Sequence, residues 1–69
     1  MKASEEYAVN ARKCETDEFA WQEDVCPTME EALLYAGEHP AKDGYYLSIE
    51  CIEYDDEENE LAVYTVKTV

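Results

Sequence analysis

Two alternating runs near the end of the chain constrain its fold more than any other feature. In the run YYLSIECIEY, the side chains of Leu47, Ile49 and Cys51 fall on one face, which is the period of a half-buried β-strand. The run ELAVYTVKTV follows after a short acidic segment. Together they predict an antiparallel hairpin with a four-residue tip at residues 55–58, in which Cys51 faces Ala62 and one face is covered by a helix.

The tip and the outer face of this hairpin carry two further expectations. Asn59 is expected in the left-handed conformation at the end of the tip. The side chains that point away from the helix form an apolar and aromatic surface rimmed by acids, which is typical of an interface. This surface predicts a homodimer contact, a partner contact, or cover by the N-terminal segment. Its members are Tyr46, Ile52, Tyr54, Leu61 and Val63.

The segment CPTMEEALLYAGEHP predicts a helix from Thr28 to Glu38. Thr28 is a suitable N-cap, and Glu31, three residues later, completes a capping box. Apolar residues recur at three- and four-residue spacing and form one stripe. The members of this stripe are Met29, Ala32, Leu33 and Ala36.

The first third of the chain is ambiguous. Residues 4–13 alternate as a strand does, although Ser4 and the acids after it could also open a helix. A strand is favoured because a two-stranded hairpin alone is marginally stable. The segment FAWQEDV is a short strand or a turn, with Phe19 and Trp21 closing one end of the core. The prediction is therefore an α+β single domain over residues 1–69: a three-stranded antiparallel sheet with one helix on a face, in the order β-α-β-β.

Charge and size limit the function. The chain has 69 residues, with 18 acids against five bases and a net charge of −13, so direct binding to nucleic acid is disfavoured. A domain this small has a thin core and little room for an enclosed active site. No long apolar stretch and no signal-peptide pattern is present, so we expect no membrane contact and a cytoplasmic location.

The residues for catalysis or metal binding are sparse. Cys14, Cys26 and Cys51 are odd in number and widely spaced, and His39 is the only histidine, which supports neither a disulfide framework nor a zinc site. The acidic tip lacks the spacing and the glycine of a calcium loop. We expect reduced thiols, no cofactor, no dedicated metal site and no enzymatic activity. Cys51 is expected in the core, and Cys14 and Cys26 at loops or element ends.

Carboxylates fixed on a rigid scaffold can stand in for DNA phosphates in a basic groove. The segment SEEYAVNARKCETDEFAWQEDVCPTMEEALLYAGEHP, followed by the acidic hairpin, resembles the small acidic anti-CRISPR proteins, and most of all inhibitors of type I-C systems. The resemblance implies a DNA mimic in the host bacterial cytoplasm. Its partner would be a Cascade subunit, for example the large subunit that recognises the PAM, and target DNA binding would be blocked.

The predicted partner-binding residues come from charge and exposure and not from the resemblance. They are Glu30, Glu31, Glu50, Glu53, Asp55, Asp56, Glu57, Glu58, Glu60, Tyr46, Tyr54 and Trp21. The acids would steer association and the aromatic residues would slow release. The alternative is an interaction module such as an antitoxin or a regulatory subunit that caps a basic partner. Either could act as a monomer or a homodimer.

Overall fold

A computed structural model of the protein describes residues 2–69. The chain forms a four-stranded antiparallel sheet with one helix on a face, and the whole measures 39 × 24 × 15 Å. The elements follow one another in the order β-β-α-β-β. They are β1 (Ser4–Lys13), β2 (Phe19–Cys26), α1 (Met29–Glu38), β3 (Tyr45–Tyr54) and β4 (Glu60–Thr68).

The α+β class is confirmed, but the three-stranded sheet is wrong. The segment FAWQEDVC is a full strand, β2, which pairs with β1 and forms the edge of a sheet with the order β2-β1-β3-β4. Residues 4–13 are a strand, as favoured. Phe19 does not close the core. It lies opposite Arg12 on the face of the sheet away from the helix, which we call the open face, and it is 54% exposed. Trp21 is half-buried and packs against the core beneath the helix.

The helix α1 begins and ends where the sequence indicates. Thr28 is the N-cap, and its Oγ1 accepts a hydrogen bond from the backbone N–H of Glu31 at 3.2 Å. Ala32 and Ala36 are buried, and Met29 packs against the core. Leu33, predicted in the same stripe, is 38% exposed, so small side chains provide the closest contact between helix and sheet.

The β3–β4 hairpin forms, but its register differs from the predicted one by two residues. Cys51 lies opposite Tyr64 and not Ala62, and the pairing is irregular at both ends of the hairpin. Over residues 62–65 this shift of two residues keeps each side chain on its predicted face. Beyond the irregularities the faces are exchanged, because Glu60 lies opposite Tyr54 on the face away from the helix and Lys67 lies opposite Ile49 on the helix side. The left-handed residue of the tip is Glu58, with φ of 65°, in place of Asn59.

The core lies between α1 and the three strands beneath it. Val9, Ala11, Leu47 and Ile49 form its floor, and Cys51 is buried on the same face farther along β3, as expected. Among residues 2–69, α1 packs on β1, β2 and β3 but does not reach β4. Within the same residues, the open face of the sheet has no second layer, which leaves β4 without a covering element on either side.

Candidate functional site

The topology of the sheet gathers most of the acids at one end of the molecule. Because β1 is antiparallel to both neighbours, the start of β1, the end of β2, the start of α1 and the β3–β4 tip share one end. We call this the acidic end. Its acids are Glu5, Glu6, Asp24, Glu30, Glu31, Glu53, Asp55, Asp56, Glu57, Glu58 and Glu60. Lys2, which precedes β1, is the one base placed here by the structure of residues 2–69.

Three shallow depressions lie side by side along the acidic end, and five of its acids line them and form a continuous rim. The first lies between α1 and β2 and includes Asp24 and Glu31. The second is lined by Glu5 and Glu6, and it shares the segment 25–27 with the first. In the third, Glu6 and Glu58 line the same depression beside Tyr54. The rim therefore runs from the start of the helix to the tip of the hairpin.

Asp55 organises the tip. Its Oδ1 accepts hydrogen bonds from the backbone N–H groups of Glu57 at 2.8 Å and Asn59 at 2.9 Å. These donors, Asn59 first and then Glu57, hold the pKa of Asp55 below its usual range. Asp56, Glu57 and Glu58 are exposed. The tip thus has one structural carboxylate and three that are free to meet a partner.

On the helix side of the acidic end, a small polar cluster holds Glu5 and Glu53. The ammonium group of Lys2 lies 3.1 Å from Glu5 Oε2 and 3.8 Å from Glu53 Oε2. Its hydrogen bond lowers the pKa of Glu5, and the pKa of Lys2 is raised in return. The thiol of Cys51 lies 3.6 Å from Glu5, and three ligand-type atoms of Glu5, Cys51 and Glu53 lie within 4.8 Å of one another. The ammonium group of Lys2 is therefore the positive charge that balances the carboxylates of Glu5 and Glu53.

The rest of the molecule carries far less net charge, because 18 − 11 = 7 acids remain there against 5 − 1 = 4 bases. These four bases lie at the opposite end or along the strands that lead to it: Arg12, Lys13, Lys42 and Lys67. Arg12 donates from Nη1 to the backbone carbonyl of Asp17 at 2.9 Å, and the hydroxyl of Tyr46 donates to Asp17 Oδ1 at 2.9 Å. Acids at this end are therefore interspersed with bases, whereas the acidic end has only Lys2 among its acids within residues 2–69.

The structure brings together most of the predicted partner-binding residues but separates three of them. Glu50 is only 8% exposed, so it does not offer its carboxylate to a partner. Tyr46 lies eight residues from Tyr54 along β3, about 26 Å away, and belongs to the opposite end. Trp21 packs against Tyr45 with ring centroids 4.8 Å apart, under the ammonium of Lys42 at 5.6 Å. Of the three aromatic residues predicted, Tyr54 alone lies at the acidic end.

Glu50 belongs instead to a buried network on the open face. Its two oxygens accept from Arg12 Nη2 at 3.0 and 2.9 Å, and Oε2 also accepts from Asn10 Nδ2 at 2.7 Å. Within residues 2–69, the buried Oδ1 of Asn10 has no hydrogen-bond donor. Paired charges of this kind are costly to break singly, so the role of the network is structural.

Several acids of the rim were missed by reasoning from the sequence. Glu5, Glu6 and Asp24 lie in β1 and β2, far along the chain from the hairpin tip. Their proximity to the tip depends on the pairing of Ser4 with Tyr54 and on the pairing between β1 and β2. A single sequence carries no local signal for these pairings.

The side chains most often used in catalysis, one histidine and three cysteines, have different surroundings. His39 stacks on Tyr35 with ring centroids 4.0 Å apart, and its Nδ1 lies 3.0 Å from the Tyr35 carbonyl. Cys26 is buried, which raises the pKa of its thiol. Cys14 is exposed, and the three cysteines are free. Within residues 2–69, no helix has both the length and the apolar composition needed to cross a bilayer.

Comparison with known proteins found no similar protein. No protein-family model, curated protein or solved structure matches the chain.

Proposed function

We propose that the protein is a non-enzymatic inhibitor that occupies a basic DNA-binding surface of another protein. The observation that carries this proposal is the acidic end, where exposed carboxylates from the strands, the helix and the hairpin tip form one rim. Protein surfaces that bind DNA are built to neutralise a dense array of phosphates. Carboxylates held on paired strands present a similar array and need little ordering when they bind.

The partner that fits best is a CRISPR effector of the Cascade type, in the cytoplasm of a bacterial host. This part of the proposal rests on the resemblance to small acidic anti-CRISPR proteins. The surface blocked would be one that holds duplex DNA, so that the effector no longer binds its target. The inhibitor would not touch nucleic acid, because its own charge of −13 repels phosphates.

Within the acidic end, the residues have different roles. Asp56, Glu57 and Glu58 are exposed and provide long-range attraction. Tyr54 is half-buried, and its hydroxyl lies 3.4 Å from Glu6 Oε2. It presents an aromatic surface beside the carboxylates, which suits short-range contact that slows dissociation.

The proposal is tested by removing charges from the β3–β4 tip while keeping its backbone conformation. The variant Asp56→Asn, Glu57→Gln, Glu58→Gln removes three charges and keeps Asp55, which holds the tip together. Association with the purified DNA-binding subunit of a type I-C Cascade is followed by stopped flow at low and high salt. We expect a rate at least about tenfold lower for the variant at low salt, with a weaker salt dependence.

The matched control removes three charges at the opposite end, in Glu15→Gln, Glu18→Gln, Asp43→Asn. These residues lie in the β1–β2 turn and the α1–β3 loop. We expect an association rate within about twofold of the unmodified protein, because the acidic end is intact. Equal loss in both variants would mean that total charge matters and the acidic end does not. A partner that is bound yet still binds duplex DNA would instead favour the interaction module.

A further inference from the structure

The depression between α1 and β2 continues along the helix beyond the acidic end and forms a groove of about 340 Å³. We call it the α1–β2 groove. Its helix side is one face of α1, along which the lining residues recur at three- and four-residue spacing. They are Glu31, Leu34, Tyr35 and Glu38. Its other side is the segment 24–27, at the end of β2 and just after it.

The walls of the groove combine exposed aliphatic side chains with a fixed aromatic ring. Leu34 is 63% exposed and Val25 is 39% exposed, so both are open to a partner. Tyr35 is held from two sides, because its hydroxyl donates to Glu23 Oε1 at 3.2 Å and its ring stacks on His39 with centroids 4.0 Å apart. A preformed wall of this kind loses little conformational freedom when another side chain packs against it.

The charged side chains that line the groove are all acids: Asp24, Glu31 and Glu38. In the part of the chain that the structure describes, none of the three forms an ion pair. Helix α1 adds to this imbalance, because its last turn carries Glu38 and no base, although the C-terminal end of a helix dipole favours a cation. The groove therefore presents uncompensated negative charge beside apolar surface.

We propose that the α1–β2 groove binds an arginine side chain of the partner protein, with its aliphatic stem against Leu34 and its guanidinium group beside Glu38. Arginine joins an apolar stem to a charged head, which matches these two neighbours on the helix. Its guanidinium is more weakly hydrated than the ammonium of lysine and stacks on aromatic rings, and Tyr35 provides such a ring. We take the partner to be the basic DNA-binding protein of the proposed function, on which this choice of occupant rests.

The geometry of the groove disfavours other occupants. Glu31 and Glu38 lie seven residues apart on α1, which is about 10 Å along the helix axis. Their carboxylates are therefore spread along the groove, whereas the ligand atoms of a metal ion converge on one point. A second copy of the chain is repelled, since each carries a charge of −13. A wholly apolar segment would bury carboxylates without a partner, which is costly.

Binding of arginine is tested with a capped peptide, acetyl-Gly-Leu-Arg-Leu-Gly-amide, titrated into the full chain and followed by two-dimensional NMR. We expect the largest amide shifts at residues 24–27 and 34–38. The dissociation constant should be at least about threefold lower than for the same peptide with glutamine in place of arginine, because only the guanidinium pairs with a carboxylate. Equal affinity of the glutamine peptide, or of a third peptide with lysine at that position, overturns the inference.

Two variants remove one feature of the groove each, with matched controls. Glu38→Gln should weaken binding of the arginine peptide at least about threefold, whereas Glu18→Gln, the same change in the β1–β2 turn, should leave the dissociation constant unchanged. Leu34→Ala should weaken binding to a similar extent because the stem of the arginine loses its wall. Leu33→Ala, one residue away on α1 but outside the groove, should not. Controls that weaken binding as much as the groove variants overturn the inference.

A second readout separates this inference from the proposed function. Dissociation of the complex with the DNA-binding subunit of a type I-C Cascade, followed by stopped flow, should be at least about threefold faster for Leu34→Ala. The tip variant Asp56→Asn, Glu57→Gln, Glu58→Gln should bind the arginine peptide within about twofold of the unmodified protein. If no Cascade subunit binds, the proposed function fails, and the peptide titration still decides whether the groove binds arginine. If the subunit binds but Leu34→Ala dissociates no faster, the groove lies outside the interface and the inference fails.

Discussion

Glu50 differs from the other predicted partner-binding acids because the sheet buries it between two donors. By strand alternation Glu50 lies on the face of the sheet away from the helix, and acids on such a face are ordinarily exposed. The burial arises from Arg12 and Asn10, which lie on the neighbouring strand β1 and bind both carboxylate oxygens. Since the contact with Arg12 spans 38 residues of sequence, no local pattern could have predicted it.

The network around Glu50 leads to a stability prediction. Glu50→Gln removes one charge of a pair that is largely buried and should cost about 1–3 kcal/mol, because Arg12 loses its counter-ion. Adding Arg12→Met should recover most of this loss, since the neutral amide introduced at position 50 can accept from Asn10 Nδ2 or, turned over, donate to the unpaired Asn10 Oδ1. Urea unfolding of the two single variants and the double variant measures the coupling. If the losses in the free energy of unfolding of the two single variants add up to that of the double variant, Arg12 and Glu50 do not act as a coupled pair.

Among the helix and strands, α1 and β3 were predicted from local signals. The segment that forms β2 was predicted only as a short strand or a turn, and its place in the sheet was missed. The cap at Thr28 and the helical spacing after it are read from adjacent residues. In β2, the pairing with β1 shifts register twice, so that its side chains do not alternate cleanly. Irregular pairing also explains the error in the β3–β4 register, because two further shifts occur there. Such irregularities depend on contacts across the sheet.

The hairpin tip leads to a pH prediction. The folded pKa of Asp55 is lowered by its backbone donors, so its carboxylate stabilises the tip above the ordinary pKa of Asp. This stabilisation is lost as the pH falls through the lowered value. NMR titration should show the amide signals of Glu57 and Asn59 moving together, with a midpoint below 3.8, the unperturbed value for Asp.

The control for this titration is Asp56→Asn, which should leave both amide signals and their midpoint as they are. Asp55→Asn should abolish the shared transition and speed exchange of the Asn59 amide proton. A midpoint at or above the ordinary value in the unmodified protein would contradict the role given to Asp55.

At the scale of the whole molecule, the fold converts a dispersed charge pattern into a polarised one. In the sequence the acids are spread along the whole chain. Predicting the β3–β4 hairpin identified the acids of its tip, but not those of β1, β2 and α1 that continue the rim. The rim requires the complete strand order, with β1 between β2 and β3. The composition therefore predicted an acidic surface, and the order of the strands determined where on the molecule that surface lies.

Crowding at the acidic end leads to a prediction about salt. Raising NaCl from about 0.05 to about 0.5 M shortens the screening length from roughly 14 Å to roughly 4 Å. Repulsion in the folded state should weaken, and the melting temperature at pH 7 should rise by about 5 °C. Thermal unfolding followed by circular dichroism measures this. The tip variant lacking three charges should show a smaller rise than the variant neutralised at the opposite end, and a falling melting temperature would contradict crowding.

The separation of charge along a 39 Å molecule has a consequence for how it moves before any contact. A uniformly charged sphere is only pulled by an external field, but a body with its charge at one end also experiences a torque. Near a positive surface, rotational diffusion is then biased so that the end with Asp56 and Glu58 leads. The protein would arrive already oriented, and fewer of its collisions would be wasted on the wrong end.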